Sequence, residues 1–262
     1  MSNTRIFIDP GHGGRDPGAV ANGMRESDIV LEVSQHLALI LERAGIEVRL
    51  SRTTDTDITI NQRWQAANTW NATHFVSIHA NAGGGTGVET LIPTASPNNP
   101  SRDLQANRRF AEIISNELAN TFNMRARRAN GVMLETETRH GNIGVLRNTR
   151  MLAILPEIAF LDSPLSNPDV EILRHRRQDI AQSIANGIFR FLGVNPSQAP
   201  QEPPQQVTSL LPGHIPSEWA TAAWLWAMES GLTDGTRPRD NITRQEVMQL
   251  FRNFYTQMIK PQ

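Results

Sequence analysis

Short apolar runs alternate along this chain with longer stretches in which apolar residues return every three or four positions. The runs at 5–9 (RIFID), 45–52 (GIEVRLSR), 74–81 (HFVSIHAN), 87–93 (GVETLIP) and 151–161 (MLAILPEIAFL) predict strands, because branched and aromatic residues dominate them. The helical spacing predicts one helix through Ile29, Leu31, Val33, Leu37 and Leu41, ended by Gly45. A second covers about 59–71 with Ile60, Trp64 and Ala67, and a third about 101–122 around Leu104, Phe110, Ile113, Ile114 and Leu118. A closing helix covers 170–192. The strands are apolar almost throughout, so both faces of their sheet should be covered. The pattern predicts an α/β fold: a twisted, mostly parallel sheet with helices on both faces.

The pattern breaks once. Residues 195–212 (NPSQAPQEPPQQVTSLLP) are rich in Pro, Gln and Ser and lack apolar periodicity, which predicts a linker. They separate a body, 1–194, from a small helical piece, 213–262. In that piece Trp219, Ala223 and Trp226 share a helix face, Gly231 ends the helix, and Val247, Leu250, Phe251 and Phe254 mark a second.

Composition narrows the chemistry. At 262 residues, 39% hydrophobic and 19% charged, the chain can bury a sizeable core. A formal charge of -1 gives neither the basic footprint of a nucleic-acid binder nor a strong hold on an anionic membrane. The absence of cysteine excludes disulfides and thiolate chemistry, so a metal site must use histidines and carboxylates. No stretch approaches a membrane span, and the first residues lack the basic and apolar regions of an export signal. The expectation is synthesis in the cytoplasm without membrane insertion.

Ligands in such sheets gather at the carboxyl ends of the strands. His12 emerges there in a glycine loop (PGHGG), His79 closes the strand at 74–81, and Glu157 lies toward the end of 151–161. Two imidazoles and a carboxylate supply three ligands and leave a fourth position open, as catalytic zinc requires. Glu26 and Asp28 are both available as that carboxylate, and spacing does not rank them. Of the other histidines, His36 and His175 fall on helical or charged surface and His74 in the loop before the third strand. His140 sits beside glycines (RHGN) that would let it swing toward the site.

Taken in order, IFIDPGHGGRDPGA, then Glu26, SRTTDTDITINQRWQAANTWNATHFVSIHANA, GVET and GVLRNTRMLAILPEIAFL resemble the zinc-dependent N-acetylmuramoyl-L-alanine amidases of the bacterial cell wall, amidase type 3. The likeness spans about residues 4–192. It implies zinc ligands at His12, Glu26 and His79, choosing Glu26 over Asp28, and a catalytic glutamate at Glu157. It also implies peptidoglycan as substrate, cut between N-acetylmuramic acid and L-alanine. Where such enzymes carry a short E-x-G-F-x-[ST]-N segment, this chain has Ala159 and a longer FLDSPLSN, so Asn167 takes the place of the family's asparagine. Asn81 and Arg147 are expected to contact the glycan or stem peptide.

The C-terminal piece resembles a single S-layer homology module, in SEWATAAWLWAMESGLTDGTRP and TRQE, implying adhesion to wall polysaccharide. A single copy can also assemble between chains, giving a homo-oligomer. A catalytic body, a linker and a targeting module without an export signal resemble bacteriophage endolysins, which lyse the host once a holin opens the membrane. The alternatives are a host autolysin or sporulation amidase, and a zinc peptidase cutting within the stem peptide. A non-catalytic wall-binding protein is opposed by retention of all three ligands and Glu157.

Overall fold

The computed structural model describes residues 4–95, 99, 102–139 and 141–195; His140 and residues 196–262, on which the expected linker and C-terminal piece fall, lie outside the described residues. From the N-terminus the elements are β1 (Arg5–Pro10), β2 (Val20–Ala21), β3 (Met24–Arg25), α1 (Glu26–Arg43), β4 (Glu47–Leu50), α2 (Ile60–Thr69) and β5 (His74–Asn81). There follow β6 (Glu89–Ile92), α3 (Leu104–Phe122), β7 (Val132–Leu134), α4 (Gly144–Asn148), β8 (Leu152–Phe160), α5 (Pro168–His175) and α6 (Arg177–Leu192).

Six strands form one sheet in the order β4-β1-β5-β8-β6-β7. Every pairing is parallel except β6 against β8. The mostly parallel α/β sheet predicted from the strand pattern is what the chain adopts. Against one face pack α1, α3, α5 and α6, around Ile8, Val33, Leu37, Val76, Ile114 and Ile154. Against the other pack α2 and α4, over a smaller cluster that includes Phe7, Ala67, Phe75, Leu146 and Leu155. No helix among the described residues is long and apolar enough to cross a membrane.

Four local expectations are corrected. The 59–71 helix is rotated: its buried residues are Arg63 and Ala67, while Ile60 is 57% exposed. The reason is hydrogen bonding, since the inward-facing arginine finds backbone carbonyls that an apolar side chain could not satisfy. His74 is not a loop residue but the first of β5, buried against Phe110 and Phe191 with ring centroids 5.7 Å away in each case. The closing helix is two helices, broken where Arg176 leaves helical geometry (φ -122°, ψ 33°). The short strands β2, β3 and β7 were absent from the expected set.

Candidate functional site

The site is assembled where β1 and β5 end. Beyond Pro10 the Gly11 N–H donates to the Ile78 carbonyl (3.0 Å), and His12 then takes a left-handed conformation, φ 57°. Its ring comes to rest edge-on to that of His79, centroids 4.9 Å apart. Two glycines make this approach feasible. A Cβ on Gly11 would overlap the His79 ring, and one on Gly18 (φ 65°) would overlap the Glu26 carboxylate and the His12 ring.

The chain then reverses through the β2–β3 hairpin, whose turn residues Asn22 (φ 52°) and Gly23 (φ 72°) are both left-handed. An Asn-Gly pair suits such a two-residue turn, because both positions need positive φ. The reversal delivers Glu26, the first residue of α1, beside His12. Its Oε2 accepts from Ala19 N (2.9 Å) and its Oε1 from Ala80 N (3.0 Å). The same Oε1 lies 3.1 Å from His12 Nε2 and 3.0 Å from His79 Nδ1. One ligand atom from each of His12, Glu26 and His79 falls within 4.8 Å of the others. Asp28, the competing carboxylate, is half exposed and pairs with Arg25 at 3.6 Å. Geometry selects Glu26.

Burial alone would raise the Glu26 carboxyl, but its hydrogen bonds to two imidazoles and their charge hold it well below the ordinary carboxylate range. Burial alone would lower the His12 imidazole, yet Glu26 and Asp16 outweigh it and raise its pKa. Asp16 was not singled out in the sequence. Its Oδ2 lies 2.8 Å from His12 Nδ1 while its Oδ1 accepts from Gly18 N, so it orients the ring and leaves Nε2 toward Glu26.

Glu157 stands next to His79 in the parallel register of β5 and β8 and opposite Glu89 in the antiparallel register of β8 and β6. His79, Glu157 and Glu89 thus form one row across three strands. Glu157 Oε2 is buried without a hydrogen-bond partner. Burial, then the charges of Glu26 and Glu89, push its pKa well above the usual carboxylate value. This row forms part of a groove of about 1070 Å³. Its lining includes Ile58 and Ile60 at the start of α2 and, packed against them, Ile143, Gly144 and Val145 at the start of α4.

The expected substrate contacts divide. Asn81 lines the groove, but its Nδ2 is held by Glu89 Oε1 at 2.7 Å. Asn167 caps α5, accepting from Asp169 N (2.9 Å), and is not among the groove-lining residues. Arg147 lies in α4 and is likewise not among them, whereas Arg139 is. Glu89 was passed over in the sequence because a glutamate inside GVETLIP reads as an ordinary strand residue. Its signal is that it is buried, like its apolar neighbours.

A mostly parallel α/β sheet thus groups, at its strand ends, two histidines and a carboxylate that could hold a metal ion, beside a carboxyl held above its ordinary pKa, an arrangement suited to hydrolysis. Residues 6–190 match the model of the Amidase_3 family, N-acetylmuramoyl-L-alanine amidase, and the chain belongs to that family. It is 37% identical over 201 residues to the N-acetylmuramoyl-L-alanine amidase CwlM of Bacillus licheniformis, covering 74% of this chain and 71% of that protein. Against the endolysin of Bacillus phage SPP1 identity is 31% over 206 residues, 77% of this chain and 70% of the phage protein. The crystal structure of an N-acetylmuramoyl-L-alanine amidase from Clostridium difficile 630 is similar with a TM-score of 0.62 at 31% identity, over 73% of this chain and 98% of that one.

Proposed function

We propose that this chain is a zinc-dependent N-acetylmuramoyl-L-alanine amidase that hydrolyses the amide between N-acetylmuramic acid and the L-alanine of the stem peptide. The observation that carries the reading is the grouping of His12, Glu26 and His79 beside Glu157, whose buried carboxyl oxygen has no partner. Two nitrogen donors and one oxygen donor fit zinc, and three protein ligands leave a position open. When bound, zinc would lower the pKa of a water molecule and polarise a carbonyl.

The chain's own residues do the rest. Glu157, placed at the groove floor with a raised pKa, takes the proton of the attacking water and returns it to the leaving amide nitrogen. Asp16 and Glu26 hold the His12 ring in place. The groove, about 1070 Å³, lies at the upper end of the range of ligand pockets, roughly 300–1,000 Å³.

Mass spectrometry of purified peptidoglycan digested by the full chain, with and without zinc, tests the reading. The expected product is free amino-terminal L-alanine, lost on chelation and restored by zinc. New termini inside the stem peptide would establish a peptidase instead. We propose a role in host lysis, to which the likeness to the SPP1 endolysin lends support, with a host autolysin or sporulation amidase as the alternative, to which the 37% identity to two Bacillus amidases lends support. Expression in a bacterial host should then lyse cells only when a holin is co-expressed. The C-terminal module is proposed to adhere to wall polysaccharide. Residues 209–262 fused to a fluorescent reporter should decorate intact walls, and a change only in the reporter's oligomeric state would assign the module to self-association.

A further inference from the structure

We propose that Arg52 and Arg63 are positioning residues of the metal centre: their buried guanidinium groups hold the glycine loop against the start of α1, so that His12 and Glu26 face each other at ligand distance. The inference rests on the reading that His12, Glu26 and His79 hold a metal. Arg52 is 3% exposed and Arg63 5%. Arg52 donates only to backbone carbonyls: Nε to Pro10 (3.1 Å), Nη1 to Thr54 (3.2 Å), and Nη2 to both Gly11 (2.7 Å) and Ser27 (2.8 Å). That last nitrogen bridges the neighbour of His12 to the neighbour of Glu26. Arg63 Nη1 donates to Pro10 O (2.6 Å) and Asp9 Oδ1 (2.8 Å), and its Nη2 to His12 O itself (2.6 Å). Asp9 also accepts from Ser77 Oγ at 2.7 Å, which ties the cluster to β5 two residues before His79.

The chemistry explains why arginine stands here. The left-handed turn at His12 persists only where its surroundings over-determine it, and the carbonyls of Pro10, Gly11 and His12 all accept from the two guanidinium groups. A planar guanidinium offers several donors at fixed angles, whereas a lysine ammonium is a point charge that cannot span two segments. The pair is electrostatically unfavourable. Burial, with Arg63 alongside, pulls Arg52 down to about 10, and among the described residues Asp9 is the one carboxylate hydrogen-bonded to either buried guanidinium. Taking two guanidinium groups out of water is costly. The cost is tolerated where it holds a geometry the chemistry needs.

The test is zinc affinity of the full chain, measured by competition with a chromogenic chelator, alongside the melting temperature of each metal-free protein. Arg52→Lys and Arg63→Lys should each weaken zinc binding about 10–100-fold, the range for groups that orient metal ligands. Arg102→Lys is the control, because Arg102 is partly buried and donates to the carbonyls of Leu146 and Thr149, none of which belongs to the metal-ligand segments. It should lower the melting temperature while leaving zinc affinity within twofold. Wild-type affinity in Arg52→Lys, or an equal loss in Arg102→Lys, overturns the proposal. If Arg52→Lys does not fold, Arg63→Lys decides by the same criterion. Failure of the wild-type chain to bind zinc would remove the underlying reading and this inference with it.

Discussion

Along β5, His74, Val76, Ile78 and Ala80 alternate with Phe75, Ser77, His79 and Asn81, so one strand supplies two different faces. β1 divides in the same way, Ile6 and Ile8 from Phe7 and Asp9. So does β8, with Ile154 and Ile158 on one side and Leu155 and Glu157 on the other. Along the strands, the face under α1, α3 and α6 is apolar except at His74 and at Thr90, whose hydroxyl pairs with Ser115 of α3. The face under α2 and α4 is apolar over part of its extent, at Phe7, Phe75, Ala153, Leu155 and Leu91. Toward the strand ends it turns polar, at Asp9, Ser77, His79 and Glu157. The difference teaches a division of labour. One face buries enough apolar surface to hold the fold, which leaves the other free to keep charged groups in fixed, costly positions.

The largest effect should come from the polar face. Glu157→Gln should lower turnover by roughly two to four orders of magnitude, the scale of general acid–base catalysis, while zinc content and melting temperature stay near wild type. Retention of more than about a tenth of the wild-type rate would show that another group moves the proton.

On the apolar face the expectation inverts. Leu37→Ala removes a fully buried side chain of α1 and should cost about 2–5 kcal/mol in urea unfolding. Activity per folded molecule should be unchanged. A matching fall in turnover would mean that the two faces are coupled.

His74 sharpens the contrast, being a titratable ring within the apolar layer. Burial pulls its pKa down to about 4, so the folded protein holds it neutral. A lowered histidine pKa favours folding above the unfolded value of about 6.5, and that contribution disappears as pH falls toward 4. Relative to His74→Leu, the wild type should lose roughly 3 kcal/mol of stability across that window. Other shifted groups, Glu157 and His12 among them, titrate in or near the same window, but they are common to both proteins and cancel in the comparison. Parallel stability curves for the two proteins would refute the assignment.

The smallest effect belongs to Asp16. Its side chain is 66% exposed, so Asp16→Ala should weaken zinc binding only about tenfold, the low end for a group that orients a ligand. An unchanged affinity would show that Glu26 and the two arginines hold His12 without it.

The strands were legible because their signal is local: HFVSIHAN is β5 residue for residue, and a glycine loop after a strand announced His12. His79 was legible as a histidine closing an apolar run. Glu26 was not separable from Asp28 by residue type or spacing, since the choice depends on the reversal at Asn22-Gly23. That dipeptide is a strong hairpin signal and would have predicted β2 and β3 had it been weighed. Arg63 was missed because a helical stripe is read from apolar residues, and here the inward stripe runs through an arginine.

By itself the sequence determined the strands, most of the helices, the glycine loop and the residue types from which a site could be made, because period, turn propensity and side-chain chemistry are properties of neighbouring residues. Only the tertiary structure decided which face each strand residue joins and which carboxylate meets the histidines. It also decided that His74 is buried and that Arg52, from beyond β4, bridges the segments carrying His12 and Glu26. Those are contacts between residues far apart in the chain. Their energies come from burial and from hydrogen bonds to carbonyls that no local pattern encodes.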